Sequence, residues 1–65
     1  MPMIQIHMLP GRTDDEKRAV LTAIHEAVTS TLGVPDSAVR AWISELDPHG
    51  FIRAGEVVGD QLAKS

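Results

Sequence analysis

Four residues carry the chemistry this chain can do. Pro2 stands directly behind Met1, Arg12 and Arg40 lie outside the longest helical pattern, and Phe51 is the one phenylalanine. Removal of the initiator methionine before a small second residue leaves proline with a free secondary amine. That amine is a base when neutral, and burial beside cations favours the neutral form. A general base works best when poised near the working pH. Met3, Met8, Leu9 and Phe51 supply apolar neighbours, and Arg12 and Arg40 supply the cations. If Met1 is kept, Pro2 is a tertiary amide with no basic nitrogen. The competing reading of Pro2 is a strand-starting proline, which tolerates the missing N–H.

The elements that must position these residues follow from periodicity. Residues 2–9, PMIQIHML, alternate between two faces, Pro2, Ile4, Ile6 and Met8 against Met3, Gln5, His7 and Leu9. Both faces are largely apolar, which predicts a strand covered on two sides with His7 as a buried structural histidine. Thr13 followed by Glu16 is a capping box, and the apolar stripe Val20, Leu21, Ile24, Ala27, Val28 and Leu32 predicts one helix over 14–32. Gly33 and Pro35 end it. Residues 39–46 alternate again and predict a second strand. Asp47-Pro48-His49-Gly50 reads as a turn. The tail from Phe51 holds two short β-like pieces around Ala54-Gly55, a small hairpin expected to lie on a neighbouring chain.

The order β–α–β implies a parallel pair. The expected class is α+β: one domain over residues 1–65, a β-α-β unit with parallel strands and a short C-terminal hairpin, completed by oligomerisation. Two parallel strands leave sheet edges and a face unfinished. A chain of 65 residues is marginal as a lone core, and with no cysteine it has no disulfide to staple it. At 43% hydrophobic, it has apolar surface to spend on further copies of itself.

Composition narrows the partners. The formal net charge is −3, with no basic run and only Trp42 and Phe51 as aromatics, which argues against nucleic acid. No stretch is apolar for the length of a membrane span, and the N-terminus lacks a secretory pattern, so a cytoplasmic protein is expected. Three histidines without ligand spacing give no metal motif. Asp14, Asp15 and Glu16 read as helix capping rather than a paired-carboxylate site.

Taken in order, Pro2 with the strand P-M-I-Q-I-H-M-L, Gly11-Arg12, the helix opening T-D-D-E-K, Val39-Arg40, Phe51 and Gly55-Glu56 resemble the 4-oxalocrotonate tautomerase family across essentially the whole chain. The resemblance implies an isomerase that needs no metal or organic cofactor. Its amino-terminal proline shuttles a proton between carbons of a 2-hydroxydienoate or 2-oxo acid, a role falling on Pro2. Arg40 and Arg12 would bind carboxylate and polarise the 2-oxygen region, with their assignment left open. Phe51 would close the apolar pocket and Leu9 would line it. The implied assembly is a homohexamer, a trimer of dimers, and the implied setting is aromatic degradation.

The chain departs from that pattern. Where the family loop is glycine-rich around G-H-F-G-I-G-G-E, this chain reads His49-Gly50-Phe51-Ile52-Arg53-Ala54-Gly55-Glu56. Arg53 is thus an added cation, a third substrate-binding candidate beside Leu9 and Phe51. Pro10 replaces an acidic residue, and Trp42 adds bulk to the second strand. Strand geometry contributes one constraint of its own. From Pro2 to Leu9 a strand advances roughly 23 Å, at ~3.3 Å per residue. Pro2 and Arg12 of one chain therefore cannot meet over one small substrate, and a site using both must join different chains. Two other readings compete: a hydratase or dehalogenase acting on a haloacrylate, disfavoured because no carboxylate precedes Glu56 in the loop, and a non-catalytic oligomeric module.

Overall fold

The computed structural model describes residues 1–63; Lys64 and Ser65 lie outside the described residues. The elements run β1 (Met3–Met8), α1 (Asp14–Leu32), β2 (Arg40–Glu45), β3 (Ile52–Arg53), β4 (Glu56–Val57) and α2 (Val58–Ala63), with 3₁₀ turns at Asp36–Ala38 and Pro48–Gly50. β1 and β2 form the expected parallel pair, in a register that sets Met3 beside Arg40, Gln5 beside Trp42 and His7 beside Ser44. β3 and β4 form a separate antiparallel pair.

Helix α1 begins and ends where its sequence signals stand. Thr13 Oγ1 accepts from the Glu16 N–H at 3.1 Å, and Glu16 Oε1 accepts from the Thr13 N–H at 3.0 Å. These bonds satisfy two groups that a helix start otherwise leaves open. At the other end Gly33 takes φ 66° and its N–H donates to the Thr29 carbonyl. Lys17 reaches from α1 to Glu45 of β2 at 2.9 Å and ties the helix to the sheet.

Only one face of that sheet is covered. Ile4, Ile6 and Met8 are half-buried, whereas Met3, Gln5 and His7 are exposed. Trp42 is 39% exposed on the same open face. The expectation of a strand covered on both sides, and of a buried His7, is thus not met within one chain. The physical reason is simple: the chain owns one long helix, and one helix covers one face. Among the described residues the buried apolar side chains are Val39 and Val58. The radius of gyration is 15.3 Å, against about 11 Å for a compact domain of this length. The molecule measures 45 × 23 × 14 Å.

The hairpin turns through Ala54 and Gly55, both at positive φ (54° and 80°), the shape of a type I′ turn. It leads into α2, which the sequence pattern did not predict. Gly59 hides this helix, because glycine is a poor helix former. Its presence has a packing cause: a Cβ there would stand 2.5 Å from Nδ1 of His49. The helix backbone thus lies against the His49 ring, and the Val58 N–H donates to the Phe51 carbonyl at 2.8 Å.

Candidate active site

β1 and β2 start at the same sheet edge, and that edge is where Pro2 sits. The Arg40 N–H donates to the Pro2 carbonyl at 3.0 Å. This bond is the first rung of the β1–β2 ladder, so Pro2 is half-buried and fixed next to the strand that carries Arg40. Met1 ahead of it is 81% exposed. The Arg40 guanidinium is exposed and does not take the carboxylate partners its neighbourhood offers. It donates to the Ser37 carbonyl at 2.8 Å and the Val39 carbonyl at 3.4 Å. Asp36 lies 3.6 Å from His25 instead, and Glu45 is held by Lys17. Arg40 therefore keeps its charge uncompensated at the Pro2 end.

Arg12 and Leu9 lie past the opposite end of β1. Arg12 is paired at 3.4 Å with Glu16, a solvent-facing contact one helical turn apart. Such a pair is held weakly and can be exchanged for another anion. A shallow cleft there is lined by Met8, Arg12, Glu16, Lys17 and Val20. The capping hydrogen bond from Thr13 holds the Glu16 carboxyl below its ordinary range, helped by the nearby Arg12. The hydrogen bond and charge of Glu45 raise Lys17. Phe51 and Arg53 lie on a third part of the chain. Phe51 is half-buried at the start of the hairpin, and Arg53 is exposed on β3.

The structure thus sets Pro2 beside Arg40 at one end of β1, leaves Leu9 and Arg12 past its other end, and carries Phe51 and Arg53 on the hairpin segment. A second surface cleft, lined by Leu21, Thr22, His25, Val39 and Ala41, does not contain Pro2 either. Among the described residues no group of three His, Cys, Asp or Glu side chains is placed to hold a metal. No helix among them is long and apolar enough to cross a membrane. Gln61 carries no sequence signal of a site, yet its amide Oε1 accepts from Arg53 at 3.4 Å and its Nε2 donates to Glu56 at 2.6 Å. No spacing rule could have found it, because its position depends on α2.

The chain can be set beside known proteins on this basis. A family model for tautomerase enzymes matches residues 2–61. A 2-hydroxymuconate tautomerase of Pseudomonas putida is 38% identical over 55 residues, 85% of this chain and 87% of that one. A 4-oxalocrotonate tautomerase isozyme of Methylibium petroleiphilum superposes with a TM-score of 0.88 at 41% identity, covering 98% of this chain and all of that one. A heterohexameric 4-oxalocrotonate tautomerase of Chloroflexus aurantiacus superposes with a TM-score of 0.83 at 28% identity, over 92% and 97% of the two chains. A parallel β-α-β unit with a terminal hairpin, a proline at the sheet edge, and likeness along nearly the whole chain lead to one conclusion: the chain belongs to the 4-oxalocrotonate tautomerase family of isomerases.

Proposed function

We propose that this chain, freed of Met1, catalyses keto–enol proton transfer on a 2-hydroxydienoate or 2-oxo acid, with the Pro2 nitrogen as general base. The observation that carries the reading is the Arg40–Pro2 rung, which holds a proline and an uncompensated arginine at one sheet edge. The neutral amine takes the proton from the 2-hydroxyl group. The electron pair moves through the conjugated system, and the same proton is returned at a carbon two or four bonds along. The amine ends neutral, and the product is an isomer of the substrate. The arginines, Arg40 and Arg12, bind carboxylate and stabilise the charge that develops on the 2-oxygen. Leu9 and Phe51 keep the site apolar, which favours the neutral amine. The net charge of −3 does not prevent binding of an anion, because the nearby guanidinium groups dominate over the distant field.

The same reading makes the working enzyme an assembly of copies, a homohexamer. The open sheet face and the separation of Arg12 from Pro2 support it, as does the hexameric Chloroflexus relative. It includes a cytoplasmic location and a part in aromatic degradation, the latter in keeping with the 2-hydroxymuconate tautomerases among the relatives.

Intact mass of the natively processed chain, paired with ketonisation of 2-hydroxymuconate and phenylenolpyruvate, tests the reading. Loss of Met1, with activity falling about 100-fold or more in Pro2→Ala, is the expected result. Equal rates in Pro2→Ala and the parent chain, or a natural chain that keeps Met1, would overturn it.

A further inference from the structure

The Lys and Arg side chains of the described residues divide into two groups. Arg12, Lys17 and Arg18 each lie within 3.4 Å of a carboxylate oxygen. Arg40 and Arg53 have no carboxylate within ion-pair distance among the described residues. For Arg53 this is unexpected, because Glu56 stands directly opposite it in the β3–β4 register. Directly opposed residues of an antiparallel pair share a face, and opposite charges there ordinarily meet.

Gln61 is hydrogen-bonded to both instead. Its Nε2 donates to Glu56 at 2.6 Å and its Oε1 accepts from Arg53 at 3.4 Å. The carboxylate has the strong bond and the guanidinium the weak one. The spacer is also well seated. Gln61 is half-buried on α2, whose Val58 is 1% exposed and whose Gly59 lies against His49. The hairpin thus contains an anion and a cation in register and uses a third side chain to keep the cation available.

The side chain it keeps available lies beside Phe51. Phe51 has extended backbone at φ −125° and ψ 121°. Residues two apart on extended backbone share a face, so Phe51 and Arg53 are on one side of the hairpin segment, an apolar group followed by a positive charge. That side fits a planar conjugated acid lying on the ring with a carboxylate reaching the arginine.

We infer that Arg53 is a specificity-determining residue that binds a carboxylate of a conjugated dicarboxylic acid, so that this enzyme selects dianionic over monoanionic substrates. The inference rests on the proposed use of Phe51 as a pocket residue. It adds to Arg12 and Arg40 a third guanidinium, one supplied by the hairpin and regulated by Gln61.

The test reads binding rather than turnover, so it is decided even if 2-hydroxymuconate is not isomerised. Titration calorimetry compares cis,cis-muconate, a stable dianion, with sorbate, a monoanion of the same carbon skeleton length. The Met1-free assembled protein is expected to prefer muconate by about 10-fold or more, the worth of one charge-assisted hydrogen bond. Arg53→Ala should remove most of that ratio, and Arg53→Lys should restore part of it. Gln61→Ala should also lower the ratio, by letting Glu56 close on Arg53. Arg18→Ala, on the outer face of α1, serves as the charge control and should leave the ratio alone. An unchanged muconate-to-sorbate ratio in Arg53→Ala, or no muconate binding by the parent protein, would refute the inference. Failure of the proposed catalysis would appear separately, as unaltered ketonisation in Pro2→Ala.

Discussion

The Arg40 N–H is hydrogen-bonded to the Pro2 carbonyl at 3.0 Å, whereas Arg12 lies past the far end of the same strand, paired with Glu16. Pro2 and Arg40 therefore lie side by side in one chain, and a site that also used Arg12 would have to draw it from another. Subunit mixing tests this directly. Pro2→Ala and Arg12→Ala proteins, each nearly inactive, should regain activity when unfolded and refolded together, up to about a quarter of the parent level in a random mixture. No recovery, with mixed oligomers shown by mass, would mean that Pro2 and Arg12 do not share a site.

The open sheet face gives a second outcome. Trp42, 39% exposed, lies on the face that α1 does not cover. Trp42→Glu places a charge where a second layer is expected. Sedimentation should then show dissociation, and activity should fall in parallel. A variant that becomes monomeric yet keeps full activity would refute the shared site.

The hairpin turn is strained at one residue. Ala54 holds φ 54°, a region that costs a Cβ-bearing residue about 1–2 kcal/mol and that asparagine enters more readily. Ala54→Asn should raise stability by about 0.5–1 kcal/mol per chain, read from denaturant midpoints at a fixed protein concentration. A lowered midpoint would show that the turn is shaped by something other than its own backbone preference.

Gly59 and His49 are predicted to be coupled. A Cβ on residue 59 would stand 2.5 to 2.9 Å from three atoms of the His49 ring. Gly59→Ala should cost about 1–3 kcal/mol, and His49→Ala in the same chain should recover most of the loss. Strict additivity of the two substitutions would mean that the ring simply swings away.

The pH dependence of the helix start follows from its capping bonds. Glu16 is held below its ordinary value mainly by the Thr13 backbone bond. A lowered folded value means the unfolded chain binds the proton more readily. The stabilisation is then complete above the ordinary glutamate value and fades as pH falls through the lowered one. Glu16→Gln should flatten that acid limb of the stability profile. Thr13→Ala should remove the cap at every pH, at a cost of about 1 kcal/mol.

The sequence was most legible where local chemistry decides local structure. Thr13, Glu16 and Gly33 mark the ends of α1 because a cap needs only its own few residues. Alternation found both strands, and Ala54-Gly55 found the hairpin. What could not be read depends on contacts between distant residues. Gly59 looks like a helix breaker until His49 is seen against it, and Gln61 is an ordinary polar residue until it stands between Arg53 and Glu56. His7 failed in the opposite way. Its strand carries the pattern of a buried one, but the cover for its second face is not within the chain. The alternation calls for a cover on both faces, which one chain cannot supply.

The 45 Å length and nearly coreless interior of the chain have a kinetic consequence. A chain that gains its stability mainly against its own copies does not fold at a rate independent of concentration. In the proposed assembly its rate-limiting steps would include encounters, so the newly made protein would gain activity more steeply than in proportion to its abundance. A cell making little of it would hold unassembled chains open to proteolysis, and one making more would cross abruptly into a stable working population. In the proposed assembly, the thin shape of the subunit would thereby make the working population depend steeply on how much chain is present.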